Sequence, residues 1–446
     1  MCNSQFSILS PKAQRPSVLN SQLSIRLPLS KSVRARELVL DALNGRAIEI
    51  EEENDDLFVL SRALKQCTMH NAQLSNQSDL SDVSDVSDDS NQSDDSDQSD
   101  VLDNSQLSTF NFQLSTLNLN ASGTALRFMT AYCSVTEGEW ELMGSERLCE
   151  RPIKPLVDAL RGMGADIEYV NKEGFAPLKI NGRRLRGGKV RLDASLSSQF
   201  ASALMLIADR VDGGIEIEYE GDVASQSYIR LTQKVIERYK SGVMYSDERD
   251  WSSATVWYAT MAVLKKGKFL FDGLRLDSFQ PDRAIVEVFE KLGVRTMEVE
   301  NGVEIKAGGE VVERLVLDCK NMPDAVMYIA VAACLLGVKF EISGVETLRV
   351  KESDRIETLI NEMKKCSYVL KYDEMGRICW FGERCEKEGK PKIVTYNDHR
   401  VAMAMAVVGL TREIDIENLE VVNKSYPGFW EELNGVRYFI DSYRIL

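Results

Sequence analysis

The chain has 446 residues, 44% of them hydrophobic, a net charge of −15, nine cysteines and two histidines. That length suits two domains of ordinary size or one large repetitive one, and the apolar fraction fills full-sized cores. Single, scattered cysteines without a CxxC pair speak against a disulfide framework or a zinc site, and His70 and His399 alone cannot build a multi-histidine metal centre. No run approaches the ~20 apolar residues of a membrane span. The opening MCNSQFSILSPKAQRPSVLN lacks the apolar stretch of a signal peptide. These features predict a reduced, cytoplasmic protein without metal or organic cofactor, with no membrane and no nucleic acid as partner.

The first predicted element is a helix opening at Ser30 in SKSVRARELVLDAL. After it, from about residue 66 to 116, the composition changes. Ten aspartates and no Lys or Arg lie between Asp79 and Asp103, and without them the net charge falls from −15 to −5, ordinary for a soluble enzyme. The centre of this tract, SDLSDVSDVSDDSNQSDDSDQSD, is low in complexity, without aromatics, and too polar to bury a core, so disorder is expected. Near-copies of one phrase surround it: NSQLS at Asn20–Ser24 and Asn104–Ser108, NAQLS at Asn71–Ser75 and FQLST at Phe112–Thr116. Repeat expansion within one surface loop explains them; a phospho-switch or acidic interaction tail is the functional alternative.

Five more openings follow: SGTALRFMTAY at Ser122, SSQFASALMLIA at Ser197, SSATVWYATMAVL at Ser252, MPDAVMYIAVAACLL at Met322 and NDHRVAMAMAVVGL at Asn397. Between them, GKVRLDA, GIEIEYE, KFLFDGL and VKFEISGV alternate as strands do, and IKPLVDALRGMG and RAIVEVFEKLGV read as further helices. Six α/β units of similar size predict an internally repeated architecture rather than a doubly wound sheet. Ser, Thr, Asn and Asp at helix starts cap free N–H groups, and for one unit capping is explanation enough. Yet the same starts carry Lys31 and Arg36, Arg127, Gln199, Asp250, Asp324, and finally Asp398, His399 and Arg400. Helix N-termini bear partial positive charge and outward donors, so several converging with Lys and Arg would receive a multiply anionic small substrate.

In order and at compatible spacing, the phrases SKSVRAR, GTALR, ERPI, SSQF, SQSY, PDA, RVKESDR, TYNDHR and KSYP resemble those of the 5-enolpyruvylshikimate-3-phosphate (EPSP) synthases. RVKESDR and TYNDHR are the specific ones; GTALR or SSQF alone is weak. The resemblance implies two domains of three α/β repeats each, an inside-out α/β barrel. One would span 28–249, with the acidic insert inside it, and the other 1–27 plus 250–446. It also implies transfer of the enolpyruvyl group of phosphoenolpyruvate to the 5-hydroxyl of shikimate 3-phosphate, with release of phosphate through a tetrahedral intermediate, by a monomer.

Such a reaction needs carboxylates of separated proton affinity and a surplus of cations. By resemblance, Asp324 accepts at the substrate hydroxyl, Glu352 donates a proton to the enol methylene, and Lys31 joins them in catalysis. Read without it, Asp324 is an acid in a helix's first turn and Glu352 one charge on a solvated face. The resemblance assigns phosphoenolpyruvate to Lys31, Gly123, Arg151, Gln199, Arg355, His399, Arg400 and Lys424. It assigns shikimate 3-phosphate to Lys31, Ser32, Arg36, Ser197, Ser198, Gln199, Ser225, Asp324 and Lys351. Tyr228 and Asp250 also match family phrases. Three positions depart from the pattern: Leu29 stands for a Gly, Ala121 for an Asn, and Thr347 for another Asn. The alternatives are a UDP-N-acetylglucosamine enolpyruvyl transferase, whose Gly-rich cysteine phrase is missing here, an RNA-cyclase-like protein, and a silent ligand-binding paralogue.

Overall fold

The computed structural model describes residues 22–51, 54–81, 114–221, 223, 225–243, 247–386 and 389–444. Two hydrophobic cores organise it. The first runs from Val33 to Val235; the second takes Ile25 and Leu27 and then Trp251 to Val436. The chain crosses between them twice, side by side. Leu29 and Arg249 form an antiparallel bridge, the Ser30 N–H donates to the Glu248 carbonyl (2.7 Å), and the Asp250 N–H donates to that of Pro28 (3.0 Å).

Six helices lie at the centre of the cores or against the cleft between them: α1 (Lys31–Leu43), α3 (Gly123–Val135), α4 (Ser198–Ile207), α6 (Trp251–Leu264), α7 (Val326–Leu336) and α9 (His399–Val408). Between these come α2 (Asp55–Ser81), α5 (Gln226–Lys240) and α8 (Arg355–Lys365). Of these, the central helices α4, α6 and α7 carry no charged residue, so they are stable only when surrounded, and the sheets enclose them. Three four-stranded sheets share one plan, a parallel pair followed by two antiparallel strands; a helix joins the parallel pair in two of them, and in the sheet begun by Gln22–Ser24 the whole first core lies between. In the first core, Ser115–Asn118 pairs with Gly138–Met143, then Leu178–Gly182, then Asp166–Tyr169. In the second, Gln22–Ser24 pairs with Lys268–Asp272, then Gly302–Val311, then Leu292–Val299. The third sheet joins Arg314–Asp318, Lys339–Ser343, Ile378–Trp380 and Lys371–Tyr372 in that order. Two two-stranded parallel sheets, Arg186–Asp193 with Asp212–Glu220 and Lys392–Ile393 with Asp415–Ile416, belong to further repeats.

Several sequence-based expectations are corrected. The fourth opening starts one residue before Ser252, at Trp251, and its cap is Asp250, which accepts from the Ser253 N–H (2.8 Å). The fifth has no side-chain cap; a 3-10 turn over Pro323–Ala325 leads into α7 instead. RAIVEVFEKLGV is only partly helical: Ile285–Glu290 forms the helix and Leu292 already begins a strand. The limits of 66–116 for the tract are too wide, because α2 continues to Ser81 and a strand begins at Ser115. The buried Leu57, Leu60, Leu64 and Cys67 anchor the upper turns of α2, and a nucleated helix extends at little cost. The aspartate-rich centre of the tract, with its expected disorder, lies outside the described residues.

Candidate active site

Between the two cores lies a cleft, and the helix starts converge on it. On the first-core wall, α1 supplies Lys31, Ser32 and Arg36, α3 supplies Gly123 and Thr124, and α4 supplies Ser197, Ser198 and Gln199. Arg151, Ser225 and Tyr228 complete that wall. Opposite stand Asp324, Lys351, Glu352, Arg355, His399 and Arg400, with Asp250 and Thr347 beside them. Lys424 reaches in between, its Nζ 3.0 Å from Glu352 Oε1 and 3.1 Å from the Ala121 carbonyl. Every site residue expected from the sequence thus meets in one cleft. At Ala121 the backbone oxygen, not an amide side chain, faces the site.

Local capping brings the side chains there. Ser30, Ser122, Ser197, Asp250, Asp354 and Asp398 each accept from a first-turn N–H. The remaining first-turn N–H groups have no partner within their own helices. Gly123 leaves room for two guanidinium groups: a Cβ there would displace those of Arg151 and Arg127.

Arg355 is the hub of the second wall. Its Nη1 contacts Asp324 Oδ1 (2.7 Å), Nη2 contacts Glu352 Oε2 (2.8 Å), and Nε contacts Asp398 Oδ2 (2.7 Å). Asp324 also faces Lys351 and Arg400, each at 3.3 Å, and Glu352 faces Lys424 at 3.0 Å and Arg151 at 4.0 Å. On the first wall, Lys31 pairs with Asp56 (2.9 Å), and Gln199 Nε2 donates to Thr124 Oγ1 (3.0 Å). Arg36 is turned mostly inward, bonded to Thr232 Oγ1, Ser202 Oγ and the Ser32 carbonyl, bracing α1 against α4 and α5.

The sequence profile of the EPSP synthase (3-phosphoshikimate 1-carboxyvinyltransferase) family matches residues 89–250 and 240–433. A 3-phosphoshikimate 1-carboxyvinyltransferase of Bacteroides fragilis is 39% identical over 336 residues, 71% of this chain and 82% of that protein. One of Haemophilus influenzae is 32% identical over 441 residues, 93% of this chain and 96% of its own length. The chain belongs to the EPSP synthase family. The solved EPSP synthase of Acinetobacter baumannii has the same fold, with a TM-score of 0.59 at 19% identity over 93% of this chain and 95% of that one.

Within this EPSP synthase fold the charges shift one another's proton affinity. Burial pulls Asp324 toward protonation, but Arg400, Lys351 and Arg355 outweigh it and hold the carboxyl well below the usual range. Burial likewise opposes ionisation of Glu352, and Lys424, Arg355 and Arg151 overcome it. Both are therefore carboxylates among these cations. Burial pushes Lys351 down, whereas at Lys31 the Asp56 carboxylate outweighs burial and pushes the ammonium up. His399 is held well below its usual value by burial and by Arg400 and Lys31, so it is a neutral imidazole. Neither of its ring nitrogens has a hydrogen-bond partner among the described residues.

Sequence reasoning missed Asp56 and Thr124. Asp56 sits in an acidic run, EEENDD, that reads as solvated surface; only packing of α2 against α1 shows it turned toward Lys31. Thr124 was legible in principle, because it follows Gly123 inside a matching phrase.

Proposed function

We infer that this protein transfers the enolpyruvyl group of phosphoenolpyruvate to the 5-hydroxyl of shikimate 3-phosphate and releases phosphate. The observation that carries the reading is Arg355, which joins Asp324 and Glu352, the expected proton acceptor and donor, within one cationic cleft.

Lys31, Arg151, Arg355, Arg400 and Lys424, with Gly123, Gln199 and His399 beside them, receive phosphoenolpyruvate. Guanidinium forks suit its carboxylate and phosphate, since each donates two parallel hydrogen bonds. Ser32, Ser197, Ser198, Gln199 and Ser225, with Lys31, Arg36 and Lys351, hold shikimate 3-phosphate, whose phosphate meets neutral donors at helix starts. Asp324 takes the proton of the attacking hydroxyl as its oxygen bonds to the central carbon of phosphoenolpyruvate. Glu352 supplies the proton that turns the methylene into a methyl group. Glu352, now a carboxylate, takes back a methyl proton as the bond to phosphate breaks, and the double bond is restored.

Glu352 must hold a proton to do this, yet the cations around it favour its ionised form. The cations that keep it so, Lys424, Arg355 and Arg151, are those assigned to phosphoenolpyruvate. An arriving dianion takes over their charge and adds its own beside Glu352, and both effects raise the carboxyl's proton affinity. The donor is thus loaded by the substrate that it protonates.

We also propose that the two cores act as separate domains, 28–249 and 1–27 plus 250–446, in a cytoplasmic monomer. The paired crossovers beside Leu29 and Arg249 and the eight free cysteines of the described residues support this. No described helix is long and apolar enough to cross a membrane. A phosphate-release assay with both substrates is the test: phosphate appears only when both are present. Binding of both without turnover would instead favour a silent ligand-binding paralogue.

A further inference from the structure

We propose that Arg147 is a positioning residue that latches the cleft shut by holding the backbone of Lys351 and Glu352 against the first core. The proposal rests on the enolpyruvyl-transfer reading, which needs Glu352 fixed at the reacting carbon. Arg147 lies on a short helix, Glu146–Cys149, whose cap Ser145 accepts from the Leu148 N–H and whose Leu148 is buried in the first core. The Ser145 N–H donates to the Asn120 carbonyl (2.7 Å), so the helix is fixed at both its cap and its apolar face.

Each nitrogen of the Arg147 guanidinium has a defined partner. Nε donates to the Glu352 carbonyl (3.2 Å), Nη2 to the Lys351 carbonyl (3.1 Å), and Nη1 pairs with Glu150 Oε2 (3.0 Å). Glu150 and Arg147 belong to the first-core side, while both carbonyls belong to the stretch between the 3-10 turn Glu346–Val350 and α8. That stretch lies outside helix and strand and carries Lys351 and Glu352 into the cleft. Four residues after Arg147, Arg151 approaches the Glu352 carboxylate. One segment of the first core therefore grips both the backbone and the side chain of the same glutamate. The backbone grip exists only when the cores stand together, so it couples closure to placement of the proton donor.

Hydrogen bonds from a charged donor are stronger than neutral ones, but Arg147 is half exposed, and water weakens them. Arg147→Ala is expected to lower kcat/KM about tenfold, with kcat falling at least as much as KM rises, and to leave the melting temperature within about 2 °C. Arg147→Lys, which keeps the charge but not the fork, should recover part of the loss. Hydrogen exchange of the Lys351–Ser353 amides, measured without substrate, should quicken in Arg147→Ala. Wild-type kcat and KM with unchanged exchange would overturn the latch, as would a kinetic loss matched by general unfolding. If the unmodified protein releases no phosphate, the functional reading fails; the exchange measurement still decides the latch.

Discussion

On the first-core wall, the groups facing the cleft are mostly helix-start hydroxyls and amides: Ser32, Ser197, Ser198, Gln199, Thr124 and Ser225. Of its charges, Lys31 pairs with Asp56, Arg36 is spent on neutral oxygens, and Arg151 alone of the three reaches across toward Glu352. On the second-core wall, one guanidinium touches three carboxylates, and two of those touch further cations. Neutral donors can accept an anion by trading water for it, with little rearrangement. Mutually neutralised charges accept one only by exchanging partners, and that exchange changes their proton affinities. The comparison teaches that position is fixed on one wall and chemistry is switched on the other.

If this contrast is right, damage to the second wall is the more severe. The largest effect is expected from Arg355→Ala, which leaves Asp324, Glu352 and Asp398 facing one another around an empty centre. Removing one partner of a buried ion pair costs about 3–5 kcal/mol. The denaturant midpoint should fall accordingly and turnover should be lost; a stable variant would break the comparison. Next comes Glu352→Gln, which keeps the shape and most contacts but cannot cycle a proton. Turnover should drop by roughly 10²–10⁴ with the fold intact, as measured by phosphate release.

The first wall should respond in binding rather than in chemistry. Gly123→Ala pushes a methyl group into the space of Arg151 and Arg127. The expected result is a rise of about tenfold in KM for phosphoenolpyruvate with kcat largely kept, matching about 1.4 kcal/mol of lost binding. A fall in kcat alone would show that this wall takes part in the chemistry.

The smallest expected effect is on stability in acid. Asp324 and Glu352 lie below the usual carboxylate range in the fold, so the stability they contribute is present above about pH 4 and is lost as pH falls through their folded values. Asp282, pushed up to about 6 by burial despite Arg400, works in the opposite sense: it takes up its proton first in the fold and adds stability as pH drops from 6 toward 4. Urea midpoints should therefore rise as pH drops from 6 toward 4 and fall below pH 4. In Asp282→Asn, the ratio of the midpoint at pH 4 to that at pH 6 should be lower than in the unchanged protein.

Much of this was legible in the chain. Caps are local: Ser30, Ser122 and Ser197 bond N–H groups two or three residues away, so the sequence announces those helix starts. The apolar character of the central helices likewise follows from residues inside each helix. Less legible were boundaries set by neighbours. Met322 opens the fifth unit through a 3-10 turn rather than a cap, and α2 runs on to Ser81 through polar sequence because its first turns are packed. Asp56 was hidden for the same reason, since an acidic run looks solvated until α2 meets α1.

The sequence by itself determined the repeated α/β units, the capped helix starts and the identity of the charged groups at them, because these depend on residues a few positions apart. Only the tertiary structure decided which charges face which. Asp324, Glu352 and Asp398 are separated along the chain, and they share Arg355 because two cores fold their helix ends into one cleft. Whether Glu352 rests as an acid or a carboxylate depends on burial against the fields of Lys424, Arg355 and Arg151. Those are distances through space, and a linear pattern does not contain them.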